Sequence, residues 1–350
     1  MKVFSFLLGI FLTAGAVAQD TARLELGDVS AARGEKKEGF LRVPEGSDPA
    51  LEIPVAVVHG AKPGPVLSLV AGSHGTEYAS IVALVELIRL LDPEEISGSV
   101  IIVPIINIPS FERVVPHLNP IDGKNMNRTY PGRAEGSQSE RASLAITREV
   151  VEKSDHLIDY HGGDLDESLR PYSYWSKTGR EEQDRISREL VLAFGLDHIV
   201  VSTDRPTDPA ASRFLENTAT TRGKPSITVE AGHAGTVEPD DVEVLVRGTL
   251  SVMRHLKMLA GEPDPVANPV WIEALHSVAS ESSGLFLPVV QRGSYVQKGM
   301  VLGQVTDFFG NKKFDAVAPA SGIVLYVRAI PSAVQGDTLA SIGVAASGDP

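Results

Sequence analysis

The sequence predicts an α/β protein: a mixed, largely parallel sheet flanked by helices, followed by a small C-terminal all-β module. Three observations carry this. Apolar runs rich in Val, Ile and Leu (Val66–Ala71, Val100–Ile106, Ser226–Val229) have the length of strands buried on both faces. Longer stretches with helical character, such as Tyr78–Leu91 and Glu181–Phe194, lie between such runs. Beyond residue 270 the pattern changes to short Val-rich segments broken by Gly turns.

Taken in order, Met1–Ala18 reads as a secretory signal. Lys2 precedes an apolar run, and Ala16-Val17-Ala18 supplies a small-x-small cleavage pattern. The expectation is an exported protein, periplasmic or secreted, with no membrane contact after cleavage. The chain has no Cys, so any metal site must be built from His, Asp and Glu. A net charge of −13 leaves no basic footprint for nucleic acid.

Residues 20–50 are polar. Leu51–Val58 reads as a strand, placed at an edge by Pro54. Val66–Ala71 is a strand, Tyr78–Leu91 a helix and Val100–Ile106 a strand. A long polar loop runs from Pro109 to Gln138, and a helix from Ser139 to about Lys153. Then follow strand His156–Tyr160, helix Glu181–Phe194, strand His198–Ser202, helix Ala210–Arg222, strand Ser226–Glu230 and helix Asp241–Leu259. The expected domains are an α/β unit over 19–260, a Pro-rich linker over 261–269 and the β module over 270–350.

Four of the expected strands end in polar groups. Val66–Ala71 runs into His74 and Glu77, Val100–Ile106 into Asn107 and the loop holding Asn127 and Arg128, His156–Tyr160 into His161, and Ser226–Val229 into Glu230. Ligands of open α/β sheets sit outside the carboxyl ends of the strands, so one pocket can collect all of these. His74 and Glu77, three apart, can share a face as the chain begins to coil. With His161 they complete a His₂Glu set, which leaves zinc a fourth position for water. Asp159 lies two residues before His161 on the same strand face and can orient its imidazole. Glu230, closing a buried strand, is the candidate general base. Arg128 beside Asn127 suits a substrate carboxylate. Arg113 is a weaker candidate for polarising the scissile carbonyl. His59, His117, His198, His233, His255 and His276 have no comparable context.

Gly-Ser-His-Gly-Thr-Glu at 72–77, Asn-Met-Asn-Arg-Thr-Tyr-Pro-Gly at 125–132, Gly-Ser-Gln-Ser-Glu-Arg at 136–141, Asp-Tyr-His-Gly-Gly-Asp at 159–164 and Val-Glu-Ala-Gly at 229–232 resemble the succinylglutamate desuccinylase/aspartoacylase family, within the zinc carboxypeptidase superfamily. The resemblance implies a zinc carboxypeptidase-like fold and one Zn²⁺ per chain on His74, Glu77 and His161. It implies Glu230 as base and Asn127 with Arg128 holding a substrate carboxylate. It also implies an oxyanion-stabilising Arg upstream of that pair. Arg113 and His117 both fit that place by spacing, and His117 would be a departure. The β module resembles the family's cleft-capping domain, which contributes a Tyr; Tyr295 and Tyr326 both qualify.

The expected function is an exported zinc hydrolase that cleaves an amide bond of an N-acyl amino acid or a related small carboxylate-bearing substrate. A metallocarboxypeptidase acting on peptides or cell-wall fragments is the alternative within the class. A non-catalytic exported metal-binding adaptor is the alternative outside it.

Overall fold

The computed structural model describes residues 22–203 and 206–350. The expected signal Met1–Ala18 lies outside the described residues. A twelve-stranded sheet forms the frame. From one edge its order is Glu35–Val43, Leu51–His59, Ser97–Val103, Lys62–Val70, His156–His161, Ser226–His233, Glu167–Ser176, His198–Ser202, Val270–Ala279, Thr338–Ala345, Gly322–Arg328 and Tyr295–Val296. The four neighbours Ser97–Val103, Lys62–Val70, His156–His161 and Ser226–His233 are mutually parallel. Their carboxyl ends therefore open on one side of the sheet.

Alternation along the central strand shows how both faces are covered. Leu67, Leu69 and Ala71 enter one core cluster, with Leu84, Leu87, Leu190, Phe194, Leu245 and Val252 from helices Tyr78–Leu90, Glu181–Phe194 and Pro239–His255. Val66 and Val70 enter the other, with Ala142, Ile146 and Leu215 from helices Gln138–Ile146 and Leu215–Thr221. A sheet between two helical layers is the arrangement the strand–helix alternation predicts.

Several expectations shift. Leu51–His59 is an inner strand between Glu35–Val43 and Ser97–Val103. Ser97–Val103 pairs only with its Ala56–His59 end, so Pro54 lies where one side is open and its missing N–H breaks no ladder. The edge strand is Glu35–Val43, whose charged sequence (Glu-Lys-Lys-Glu) suits an exposed sheet edge. The loop after Asn107 contains a short helix, Ile108–Arg113, and a 3₁₀ turn, Met126–Arg128. The helix expected over Ala210–Arg222 is a single turn at Pro209–Ala211 followed by Leu215–Thr221.

The chain beyond residue 270 does not sit apart from the sheet. Val270–Ala279 adds to His198–Ser202 in parallel, Thr338–Ala345 to Val270–Ala279, and Gly322–Arg328 to Thr338–Ala345. Gly322–Arg328 then pairs back onto Glu167–Ser176, closing a ring of five strands. Tyr172, Val200, Ile272, Ile323 and Leu325 form its apolar cluster. Gly284–Pro288, Val301–Thr306, Lys312–Val317 and Ser332–Ala333 form a separate four-stranded sheet over a small core centred on Phe286.

Candidate active site

The loop that follows Lys62–Val70 is shaped by close backbone packing. Gly72 has φ +69°, and a Cβ there would stand 2.7 Å from the Ile105 Cα, so only glycine fits. The Asn107 amide donates to the Ser73 carbonyl at 3.2 Å, and the Gly75 N–H donates to Ser110 Oγ at 2.9 Å. Asn107, expected in the site, thus acts as scaffold: it also caps helix Ile108–Arg113 by accepting from the Ser110 N–H. The result is a fixed Ser73–Glu77 loop with His74 and Glu77 turned inward.

The neighbouring strands supply the rest in register. Asp159 pairs with Thr228 and His161 with Glu230 across the parallel ladder. All four residues line one cavity, as two-residue alternation on one sheet face requires. Glu77 sits between the two histidines: Oε1 is 2.6 Å from His74 Nδ1, and Oε2 is 3.0 Å from His161 Nδ1. Although burial acts against ionisation, the charges of His74 and His161 hold the Glu77 carboxyl down at about 2. On the far side of each ring, His74 Nε2 meets Asn125 Oδ1 at 3.1 Å, and His161 Nε2 lies 3.3 Å from Asp159 Oδ1. Asp159 therefore stands where the sequence reading placed it, behind the imidazole.

This arrangement fits a zinc ion. His74, Glu77 and His161 are all buried and offer ligand atoms within 4.8 Å of one another. Two imidazole nitrogens and a carboxylate make a donor set that zinc accepts, and the cavity leaves a side open to substrate. The outward ring nitrogens face Asn125 Oδ1 and Asp159 Oδ1, oxygens placed where metal-binding histidines are commonly oriented. Asn125 carries little signal in the sequence beyond its place two residues before Asn127.

The cavity has a volume of about 490 Å³. Glu230 lines it. Burial, then the charges of Glu77, Glu167 and Asp159, push the Glu230 carboxyl well above the ordinary carboxylate range against the pull of His161. Arg128 stands at the rim with its guanidinium 4.4 Å from the Phe214 ring centroid, and Nη1 donates to the Asn127 carbonyl. Asn127 is buried, its Oδ1 accepting from the Leu215 N–H and its Nδ2 3.0 Å from His161 Nε2. Asn127 thus braces the floor while Arg128 faces the opening.

Arg113 is corrected. It ends the short helix Ile108–Arg113 fully on the surface, and His117 lines the cavity in its place. The left-handed turn at Val114, φ 55°, ends the helix and carries the chain inward. Between the two tyrosines, Tyr326 lines the cavity with its hydroxyl on the Thr338 carbonyl. Tyr295 is 69% exposed, with its hydroxyl near His198.

Sequence reasoning missed Glu167, Tyr172 and Tyr174 on strand Glu167–Ser176, and Glu216 beside Phe214. Glu167 has its carboxyl raised to about 7, chiefly by burial and then by the charge of Glu77. The strand carries an extra residue against Ser226–His233: Glu230 pairs with Tyr172 and Gly232 with Leu169. That bulge changes the alternation, so Leu169 and Tyr172 both reach the cavity. The Tyr-Ser-Tyr-Trp alternation at 172–175 was the available signal.

Known proteins resemble this chain in sequence and in fold. The model of the succinylglutamate desuccinylase/aspartoacylase catalytic domain matches residues 63–256. The N-alpha-acetyl-L-2,4-diaminobutyric acid deacetylase of Halomonas elongata is 32% identical over 317 residues, 87% of this chain and 91% of that protein. Among solved structures, the product-bound ectoine utilization protein EutE from Ruegeria pomeroyi superposes with TM-score 0.82 at 26% identity, over 93% of this chain and 100% of the other. A succinylglutamate desuccinylase/aspartoacylase from Rhodobacter sphaeroides superposes with TM-score 0.79 at 25% identity, over 89% and 96%.

Proposed function

Because the chain belongs to the succinylglutamate desuccinylase/aspartoacylase family of amidohydrolases, we propose that it is an exported zinc deacylase that removes a short acyl group from the amino nitrogen of an amino acid. One observation carries this reading: His74, Glu77 and His161 converge at the floor of a cavity that also presents Glu230 and Arg128. Parallel strand ends that deliver these groups support a zinc carboxypeptidase-like arrangement.

Zinc held by His74, Glu77 and His161 would acidify water and polarise the amide carbonyl. Glu230 takes a proton from the attacking water and returns it to the departing amine, a role its raised proton affinity suits. Arg128, backed by Phe214, holds the substrate carboxylate at the rim. Asn125 Oδ1 and Asp159 Oδ1 stand beside the outer ring nitrogens of the two imidazoles, where they can orient them. Tyr326, Leu275, Ser277 and Ser341 close the opposite side of the cavity.

The Halomonas relative is named for N-alpha-acetyl-L-2,4-diaminobutyric acid, so that compound is the first substrate to assay. Zinc-loaded protein should release acetate from it or from another N-acetyl amino acid, and a chelator should stop the release. Metal-loaded protein inactive on a broad panel of N-acyl amino acids and peptides would reject the enzyme reading. No helix among the described residues is long and apolar enough to cross a membrane. Export rests on the Met1–Ala18 pattern, and the N-terminus of protein recovered from a secreting host tests it: a start near Gln19 is expected, and Met1 retained would refute it.

A further inference from the structure

We propose that Arg328, which lies outside the reaction cavity, is a positioning residue for the deacylase reaction, holding the His117 imidazole in place in the cavity wall beside His74 through Asp166. The proposal rests on the deacylase reading above.

His117 is an unusual residue by backbone as well as by place. Its φ is +60°, in the left-handed region that a non-glycine residue occupies at a cost, and such conformations persist where the surroundings enforce them. The enforcement is visible. The His117 N–H donates to Asp164 Oδ2 at 2.9 Å, and ring Nε2 lies 2.8 Å from Asp166 Oδ1. Asp164 is fully buried and accepts from the Thr76 hydroxyl, inside the His74–Glu77 loop. The same anchor therefore fixes the metal-binding loop and the His117 backbone. The ring lines the cavity with its centroid 6.0 Å from that of His74.

Asp166 is held in turn from the C-terminal strand. Its Oδ2 lies 3.1 Å from Arg328 Nη1, and its backbone carbonyl accepts from the Ala329 N–H at 2.8 Å. Arg328 is locked from behind by Asp337 at 3.1 Å and by the Ser332 carbonyl. The guanidinium is mostly buried and lines a different groove, so it does not meet the substrate. Two residues earlier on the same strand Tyr326 does line the cavity. The strand Gly322–Arg328 thus reaches the reaction twice, directly through Tyr326 and indirectly through Arg328, Asp166 and His117. This gives the β-rich C-terminal region a part in turnover beyond covering the cleft.

A double-mutant cycle tests the inference. Groups directly behind a metal-binding residue are worth roughly 10- to 100-fold in activity, and Arg328, which acts on His117 one step further back through Asp166, is expected at the low end of that range. Arg328→Ala should therefore lower kcat on N-acetyl-2,4-diaminobutyrate roughly 10-fold or more, with KM and zinc content little changed, and Arg328→Lys should recover part of the loss. Most of the loss should vanish in a His117→Ala background, because the two residues act as one unit, any remainder running through the Tyr326 hydroxyl beside Arg328. An undiminished Arg328→Ala effect in that background, or no effect on kcat, would overturn the proposal. Arg328→Gln with His117→Ala gives the same cycle should Arg328→Ala fail to fold, and is read the same way. A second readout needs no turnover: the His117 ring ¹⁵N signals in labelled protein should move in Arg328→Lys or Asp166→Asn, and unmoved signals contradict the link. Inactivity of the zinc-loaded wild type would reject the deacylase reading, whereas an active wild type with an additive cycle rejects only this inference.

Discussion

The two sides of the cavity are built from opposite chemistry. The floor, at the carboxyl ends of the parallel strands, holds His74, Glu77, Asp159, His161 and Glu230, each surrounded by other polar groups. The far wall, from strands beyond residue 270, presents Leu275, Ser277, Leu325, Tyr326, Thr338 and Ser341, with no charged side chain among them. Charges buried together are tolerable only when paired or when a metal completes them. The floor is therefore committed to one reaction, while wall positions such as Leu275, Ser277 and Ser341 can vary in shape without disturbing it. Chemistry is concentrated in one stretch of chain and selectivity in the other, and strand Gly322–Arg328 is the link between them.

The largest effect expected from breaking this division is at the floor. His161→Ala should lose zinc and all measurable deacylation, and so should His74→Ala; elemental analysis showing one zinc per chain in either variant would count against the site. Next comes the rim. A charge-assisted hydrogen bond contributes about 1.5–3 kcal/mol, so Arg128→Ala should raise KM roughly 10- to 100-fold with a smaller change in kcat. A kcat loss at unchanged KM would move Arg128 out of substrate binding.

The wall should respond more gently and in a different quantity. Leu275→Ala should alter the ratio of kcat/KM between propionyl and acetyl substrates by roughly 10-fold, since one methylene in a pocket is worth about 1–3 kcal/mol. Zinc content should stay the same. An equal loss on both substrates would show the wall to be part of the machinery instead.

The smallest effect is on stability. Folding raises the Glu167 carboxyl from 4.5 to about 7. Between those values the folded protein binds a proton that the unfolded chain has released, so stability falls as pH rises through that window. Metal-free Glu167→Gln protein should escape the fall, and the melting temperatures of the two proteins should diverge from pH 5 to pH 7.5. Parallel curves would place the Glu167 carboxyl in ordinary surroundings.

What could be read in the sequence follows the same division. The floor was legible because each group closes an apolar strand: His74 and Glu77 after Val66–Ala71, His161 after His156–Tyr160, Glu230 after Ser226–Val229. Position at a strand end carries meaning in a parallel sheet. The wall was not legible, because nothing local says that Val270–Ala279, Gly322–Arg328 and Thr338–Ala345 join the main sheet. Strand Glu167–Ser176 was hidden by Arg170-Pro171 and by its polar cavity face, which removes the apolar run a central strand normally shows. Arg113 and His117 were indistinguishable by spacing, and the chain reversal at Val114 decides between them. The linker reading at 261–269 matched composition, but the sheet crosses that boundary through Val270–Ala279.

The central claim is that the floor separates metal holding from proton transfer, with Glu77 doing the first and Glu230 the second. Glu230→Gln keeps the shape of the side chain and removes its base. Zinc content and turnover measured on that one variant test the claim most directly. The expected result is one zinc per chain with kcat lowered roughly 10²- to 10⁴-fold; near-normal turnover, or loss of the zinc, would contradict it.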